Sequence, residues 1–586
     1  MRIRKLLRVR FVVDPFTEQE KIMAELTPMM QKYMETKEQY KDCILFYRLG
    51  DFYEMFFDDA LVASKELEIT LTGKSCGLEE RAPMCGIPYH AVEGYLSKLV
   101  SRGYKVAICE QVEDPKLAKG LVKREVIRVV TPGTNLNVQS LEAGKNNYLL
   151  SIAYTPDGIG ISAADVTTGD YYVTEVEDLK KLNDELMKYE PSEIICNEAF
   201  LVSGFDVNDL KSRLHISVNA LESHMFDDDG CRRILMKHFK VNTLIGLGVE
   251  EFPTGLLAAG ALLQYLYDTQ KTDLEHFTHI YPYLTSKYML LDSSTRRNLE
   301  LTETLREKQK RGSLLWVLDK TKTAMGARLL RNYIEQPLIE KDEMEKRLDA
   351  IQELNQDSIS RDEIREYLNP IYDLERLLSK VTYKTANPRD LIAFRNSLQM
   401  LPPIKTVLSA FEKEELTKIR EQIDGLEDIY QLIDEAIIDE PPLSIREGGM
   451  IKDQFDETID RLRSAKHDGK QWLAQLEEED RERTGIKNLK IKYNKVFGYY
   501  FEVTNSYKNL VPEDYIRKQT LANAERYTTP RLKELEDTIL NAEDKLQTLE
   551  YDVFCRIRDT IAQELVRIQN TAKAIAKLDV YASLSL

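Results

Sequence analysis

An aromatic ring and a carboxylate, Phe52 and Glu54, stand two residues apart in the segment GDFYEMF at residues 50–56. A ring of this kind can stack on a flat surface, and a carboxylate beside it can accept hydrogen bonds. The same spacing is common at the edges of strands and helices. Phe52 would then belong to a hydrophobic core, as the nearby Phe46 and Phe56 are expected to. Spacing alone leaves both interpretations open.

A second group of residues that could bind a ligand is basic. The chain carries a net charge of −17, yet residues 481–535 hold 12 Lys or Arg against 6 Asp or Glu, a local charge of +6 (12 − 6). The distribution of charge, more than its sum, decides where an anion is attracted. Phosphate contacts are expected here, although an ordinary solvated basic face has the same composition. The candidates are Lys490, Lys492, Asn494, Lys495, Arg517, Lys518 and Arg526.

The remaining motifs are incomplete. The run TGKS at residues 72–75 resembles the end of a P-loop, but Glu68 stands where that motif needs glycine, so a polar surface loop is expected. His276 and His279 lack further ligands for a metal and are expected on a helix surface. Asp170 is interpreted as a turn former. Neither a complete P-loop motif nor Gly-x-Ser-x-Gly occurs in the sequence, so the chain is not expected to be an enzyme.

Length and composition bound the class of protein. A chain of 586 residues exceeds one hydrophobic core and predicts about three to five domains. No segment approaches ~18 uninterrupted apolar residues, so no membrane partner is expected. Seven cysteines without a C-x-x-C pair predict free thiols and a cytoplasmic location. Residues 1–22 begin with a basic, apolar run that lacks the features of a secretory signal, and we interpret them as an atypical N-terminal extension.

Two mixed patterns precede the helical part of the chain. Thr27 and Pro28 predict a helix start, as N-cap and first helical residue. Around it, short apolar runs predict strands at 43–47 and 106–110. Hairpin turn signals near residues 156–158 and 168–170 predict a second, partly antiparallel sheet. Its strands are expected at 148–154, 158–166, 170–176 and 193–196.

Beyond residue 253 the patterns are mostly helical. A charged helix end at 470–484 is expected to stop at Gly485 and to be followed by a β-rich segment. Apolar residues then recur at helical steps from Leu532 to Ile568 and predict a single helix several tens of residues long. Such a helix suits a lever better than a compact bundle.

Longer motifs carry a family resemblance. The segment at 50–56 is followed by GIPYH at 86–90 and VVTPGT at 129–134, and the helical part contains RRNLE at 296–300, GSLLW at 312–316 and TKTAMGAR at 321–328. In this order, over residues 23–586, the motifs resemble the MutS family of DNA mismatch repair proteins. The resemblance implies a multidomain α+β fold with two N-terminal mixed α/β domains, then a helical core with long lever helices and an inserted β-rich clamp. The implied domains are mismatch recognition at 23–135, connector at 136–255, the first part of the core and levers at 256–450, clamp at 451–530 and the second part of the core and levers at 531–586.

The resemblance also implies roles for the candidate residues. Phe52 would be an aromatic wedge that enters the minor groove beside a mispaired or unpaired base, and Glu54 would hydrogen-bond the displaced base. Mismatched base steps open at lower energetic cost than matched ones. A protein that must open a step therefore binds preferentially at a mismatch. The seven basic-segment candidates would form a clamp on the DNA backbone.

The implied partners are mismatched double-stranded DNA and a MutL-type repair protein. Full-length members of the family are DNA-dependent ATPases that use ATP and Mg, form homodimers and carry the ATPase domain after the long helix. This sequence ends at Leu586 without a P-loop. It is therefore expected to be a truncated fragment with no cofactor of its own, to which ATP hydrolysis, the nucleotide-driven clamp and most of the family's dimer interface do not carry over. Two alternatives stay open: the regulatory part of an ATPase enzyme, and a helical scaffold that docks partners without reading DNA.

Overall fold

The structure is a computed structural model that describes residues 26–113, 120–212, 214–494 and 496–586. The expected extension at 1–22 and the candidate Lys495 lie outside the described residues. Within the described ranges, no helix is both long enough and apolar enough to cross a membrane. All seven cysteines are free thiols, as predicted, and Cys555 alone is not fully buried.

The first sheet has six strands in the order β3-β4-β2-β1-β5-β6. Strands β1 and β5 pair in parallel, and both were predicted from their apolar runs. Hydrophobic cores cover both faces of the sheet. The strands are β1 Cys43–Leu49, β2 Phe52–Phe56, β3 Thr72–Lys74, β4 Ala82–Pro88, β5 Lys105–Gln111 and β6 Arg124–Val130, with helices α1 Pro28–Gln39, α2 Phe57–Leu67 and α3 Val92–Val100. Helix α1 begins at the predicted Pro28, although the Thr27 side chain makes no capping hydrogen bond.

The second sheet also has six strands, in the order β11-β10-β7-β8-β9-β12. The predicted hairpins join β7 to β8 and β8 to β9 in antiparallel pairs, while β10 and β12 add parallel pairs. The strands are β7 Leu149–Thr155, β8 Gly158–Asp165, β9 Asp170–Val176, β10 Glu193–Asn197, β11 Ser217–Leu221 and β12 Tyr281–Pro282. The helices are α4 Leu179–Tyr189, α5 Glu198–Leu201, α6 Val207–Ser212, α7 Asp228–Phe239 and α8 Pro253–Gln270.

Helix α8 packs on the second sheet, and β12 extends its edge. Both elements reach past residue 255, where the sequence patterns divide the connector from the core. We propose that the boundary between these domains lies after β12.

The third part is helical, and one buried core runs through it. Its helices are α9 Ser293–Asn298, α10 Leu314–Leu318, α11 Ala324–Glu335, α12 Lys341–Gln356, α13 Ser358–Leu368, α14 Leu374–Thr382, α15 Pro388–Leu398, α16 Leu401–Leu408, α17 Glu414–Gln422, α18 Glu427–Ala436, α19 Glu457–Thr484, α20 Pro530–Gln563 and α21 Leu565–Leu584. Apart from the short helix α9, residues 271–313 are not α-helical, in contrast to the mostly helical expectation. Backbone groups of this stretch bond to other segments instead, as Met289 N does to Pro337 O at 2.8 Å. The multidomain α+β class is confirmed.

The two longest helices, α19 and α20, lie side by side. Gly469 permits this close approach, since a Cβ atom there would meet Ile539 Cγ1 at 2.6 Å. Helix α19 ends at Gly485 in the left-handed conformation, as predicted. The single helix expected over 532–568 is wrong: the backbone at Glu564 has φ −93° and ψ 19°, so α20 ends and α21 begins there. The apolar steps continue across the break and therefore do not reveal it.

Between α19 and α20 the chain forms a four-stranded antiparallel sheet in the order β13-β14-β16-β15. Its strands are β13 Lys490–Asn494, β14 Gly498–Thr504, β15 Ile516–Thr520 and β16 Ala524–Thr528. A bulge interrupts the pairing of β15 between Arg517 and Gln519. Buried residues of the sheet form one core with the adjacent ends of both long helices.

Candidate nucleic-acid interface

Phe52 is the first residue of strand β2, directly after a tight turn. Leu49 at the end of β1 pairs with Phe52, and Gly50 between them has φ +58°, a conformation that favours glycine. The turn is fixed from outside, because Tyr89 N donates a hydrogen bond to Asp51 O at 3.0 Å. The ring of Phe52 therefore stands on a tight hairpin that a hydrogen bond ties to a neighbouring segment.

The Phe52 side chain is 46% exposed. Among the phenylalanines that the structure describes, it alone is exposed, while Tyr53 and Phe56 on the same strand are buried. An exposed aromatic ring forgoes the stabilisation that burial in the core would give. The interpretation of Phe52 as a core residue is therefore wrong, whereas Phe46 and Phe56 are core residues as expected.

Glu54 lies two residues along the same strand and so faces the same side as Phe52. Its Oε2 atom is 2.6 Å from Lys74 Nζ. The expectation of a polar surface loop at 72–75 is wrong, because Thr72–Lys74 form the edge strand β3, which pairs with β4. Sequence reasoning did not find Lys74 as a functional candidate. A three-residue strand carries no periodic signal, and Lys74 meets Glu54 only through the sheet.

The basic candidates on the third sheet divide between its two faces. Lys490 and Lys492 pair with Glu502 and Tyr500, and Glu502 pairs in turn with Arg526. Residues paired directly across strands project to the same face. Lys490, Lys492, Asn494 and Arg526 therefore share one face.

The Arg526 side chain contacts other side chains of the sheet. Its guanidinium donates to Gln519 Oε1 at 2.7 Å and lies 4.5 Å from the ring centroid of Tyr500. Its Nε is 4.0 Å from Glu502 Oε2, and Lys492 Nζ lies 2.7 Å from Glu502 Oε1. These contacts join all four strands of the sheet, so Arg526 and Lys492 have partners before any nucleic acid binds.

Arg517 projects to the opposite face, where it pairs with Tyr527. Its NH1 atom lies 3.6 Å from Glu525 Oε1, which also receives Lys508 Nζ at 2.6 Å. Lys508 was not among the predicted candidates, although it lies within the basic window, and only the fold brings it to Glu525. Lys518 lies at the bulge and is exposed.

Two of the candidates are free to bind an anion. Lys490 and Lys518 are exposed and form no ion pair with any residue that the structure describes. Asn494 has a local role, because its Oδ1 accepts a hydrogen bond from Val496 N at 2.8 Å in the turn between β13 and β14.

The residues weighed for metal or catalytic chemistry have structural roles. The expectation of a helix surface for His276 is wrong, since this residue is buried in a loop. Tyr383, just after α14, packs against it, with its hydroxyl 3.3 Å from His276 Nε2. Burial lowers the pKa of His276 to about 3. Asp170 accepts a hydrogen bond from Thr168 Oγ1 at 2.8 Å, in keeping with a turn former. The described residues contain no group of three or more His, Cys, Asp or Glu placed to hold a metal ion.

Comparison with known proteins gives a consistent result for the three parts of the fold. Three family models match: MutS domain I at residues 27–139, MutS domain II at 147–278 and MutS domain III at 294–585. DNA mismatch repair protein MutS of Lachnoclostridium phytofermentans is 67% identical over 563 residues, which cover 96% of this chain and 60% of the relative. The proteins of the same name from Ruminiclostridium cellulolyticum and Acetivibrio thermocellus are 54% and 53% identical, over 96% of this chain and 64% and 65% of their own lengths.

The chain thus spans less than two thirds of the length of these relatives. The three matched models account for both mixed domains and for the helical part with its inserted sheet. The chain belongs to the MutS family.

Proposed function

We propose that this chain recognises mispaired and unpaired bases in duplex DNA as part of mismatch repair. Phe52 acts as a wedge at the minor groove, and Glu54 hydrogen-bonds the displaced base. The relatives that the chain matches are named DNA mismatch repair proteins, which supports this substrate. For the whole protein we propose ATP and Mg as cofactors, a homodimer as the working form and a MutL-type repair protein as a partner.

The exposure of Phe52 is the observation that carries the proposal. A ring held on a tight, hydrogen-bonded turn loses little entropy when it stacks on a base, and base–aromatic stacking is worth about 1–3 kcal/mol. Insertion into a duplex also unstacks a base step, at a cost of a few kcal/mol. Because a mismatched step is already weakened, the balance favours insertion there.

The third sheet supports a second, sequence-independent contact. Lys490 and Lys518 are exposed without ion pairs among the described residues, so they are available to phosphates. We propose that they hold the DNA backbone, while Lys492 and Arg526 fix the sheet that carries them. Lys495 and Arg517 stay candidates for the same clamp. Such contacts give affinity that falls with salt and does not depend on sequence.

Phe52→Ala tests the proposal. We expect the variant to bind matched duplex as the parent does and to bind a G·T or one-base-loop duplex roughly tenfold more weakly, because no ring remains to stack on the base. Fluorescence anisotropy with both duplexes at one salt concentration measures this.

Leu61→Ala is the matched control, because Leu61 is an exposed apolar residue on the neighbouring helix α2. It should leave both affinities unchanged. Equal losses of affinity for matched and mismatched duplex in Phe52→Ala would contradict the wedge. Unchanged binding to both would favour a helical scaffold that does not read DNA.

A further inference from the structure

A cavity of about 470 Å³ opens where the second sheet meets the helical part of the chain. Tyrosines on and beside β7, β9 and β12 form one wall, and helices α11, α12 and α21 form the other. The volume lies in the range of small-molecule sites, about 300–1,000 Å³. The cavity is remote in sequence from the wedge and from the clamp, so neither role accounts for its lining.

The lining is cationic in a chain of strongly negative net charge. Five Lys or Arg side chains line the cavity against two carboxylates, Asp170 and Glu375. Lys287, Arg347 and Lys577 form no ion pair with any described residue. Unpaired cations that converge on one cavity favour a ligand with more than one negative charge.

Arg328 neutralises the carboxylates next to the cavity. Its side chain is 3% exposed, and its two terminal nitrogens bind Asp373 and Glu375 at 2.6–2.8 Å. The third nitrogen, Nε, is buried and has no hydrogen-bond partner among the described residues. Arg328 therefore uses its terminal donors on these two carboxylates beside the cavity and leaves the unpaired cations of the lining available to a ligand.

The rest of the lining suits a flat heterocycle. Seven tyrosines line the cavity, and the ring of Tyr333 already stacks against the Arg347 guanidinium at 3.7 Å. Asn332 and Gln336 lie one turn apart at the end of α11, and their side-chain amides make no hydrogen bond with described residues. A carboxamide offers both donors and an acceptor, as the edge of a nucleobase requires.

We propose that this cavity binds a nucleoside phosphate. The phosphates lie against Lys287, Arg347 and Lys577, and the base lies among the tyrosine rings within reach of Asn332 and Gln336. The site is separate from mismatch recognition and does not depend on it. Because the sequence contains no P-loop motif, nucleotide binding by this chain reports on the cavity.

Isothermal titration of the full chain with ADP tests the proposal, with adenosine and pyrophosphate as partial ligands. We expect saturable binding of ADP that is tighter than that of either partial ligand. Arg347→Gln with Lys577→Gln should weaken ADP and pyrophosphate binding by at least about tenfold and leave adenosine binding unchanged. Asn332→Ala should weaken ADP and adenosine binding but not pyrophosphate binding.

Lys341→Gln is the control, because Lys341 is an 80% exposed cation on α12 outside the cavity. It should bind ADP as the parent does. Absence of ADP binding to the folded parent chain, or unchanged binding in the double variant, would overturn the proposal. Pyrophosphate binding as tight as ADP binding would overturn the nucleoside assignment. Mismatch preference, measured separately, should be the same in all these variants.

Discussion

At the residue scale, we expect the Lys74–Glu54 ion pair to affect most strongly how the proposed wedge, Phe52, would meet DNA. Glu54 and Lys74 keep only 15% and 34% of their side chains exposed, so their interaction is screened less than that of a surface pair. A carboxylate near phosphates is repelled by them. We expect Lys74 to offset this repulsion and to hold Glu54 on the Phe52 side of the strand, where the proposed base contact would form.

Lys74→Met should weaken binding to matched and mismatched duplex alike, by several-fold, because Glu54 then faces the phosphates without a partner. Adding Glu54→Gln should restore the affinity for matched duplex and lower the preference for a mismatch, because the carboxylate proposed to bind the displaced base is gone. A double-mutant cycle on duplex affinity measures the coupling, expected to be about 1 kcal/mol. Additive effects of the two substitutions would contradict the role given to Lys74.

Glu335 on α11 makes stability depend on pH. Burial raises the pKa of its carboxyl from 4.5 to about 7, although Arg331 lies 3.1 Å away and opposes the rise. The contribution of this group to the free energy of unfolding is therefore fully present below about pH 4.5. It is lost as pH rises towards 7, by up to ~3 kcal/mol. Glu335→Gln stays neutral and keeps an acceptor for Arg331.

Glu335→Gln should therefore raise the thermal midpoint by a few degrees at pH 8 and leave it nearly unchanged at pH 4.5. Thermal unfolding followed by circular dichroism at both pH values measures this. Glu340→Gln removes an exposed carboxylate just beyond the same helix and should show no such difference. An equal shift at both pH values would show that Glu335 does not titrate as described.

At the scale of elements, the third sheet is a platform held by the ends of α19 and α20. Among its strand residues that the structure describes, Lys490 and Lys518 are the lysines without an ion pair. Lys490 lies on β13 and Lys518 at the bulge of β15, so they occupy opposite edge strands. A duplex that contacts both would span the sheet. By contrast, Lys492 and Arg517 already form ion pairs with carboxylates of the same sheet.

Lys490→Gln with Lys518→Gln should lower the salt dependence of duplex binding. Removing one phosphate contact reduces the slope of log K against log salt by about 0.9, and the reduction should be the same for matched and mismatched duplex. Anisotropy titrations between about 50 and 200 mM salt measure the slope. Lys341→Gln is the control for a cation outside the sheet. An unchanged slope in the double variant would show that neither lysine contacts the DNA backbone.

Local sequence signals predicted the elements of this fold where a single residue type decides the geometry. Gly485 ends α19, and the glycine turns near 158 and 169 join antiparallel strands. The break at Glu564 was missed because the apolar steps run through it. The partners of the site were missed for another reason. Lys74 reaches Glu54, and Tyr383 reaches His276, only through long-range packing that no local pattern encodes.

At the scale of the whole molecule, the chain is acidic, yet the sites proposed for DNA lie on two different parts of it. Phe52 stands on the first sheet, and the free lysines stand on the third sheet at the end of two long helices. The first contact would select weakened base steps, and the second would add affinity without selection. Mismatch preference and salt dependence should therefore vary independently.

The central claim, that this chain recognises mismatches through its first domain, is tested most directly by its affinity for a G·T or one-base-loop duplex against a matched duplex across a salt series. We expect tighter binding to the mismatch at every salt concentration, with parallel slopes, because the phosphate contacts are common to both duplexes. Equal affinity for the two duplexes throughout the series would contradict the claim, whatever the slope.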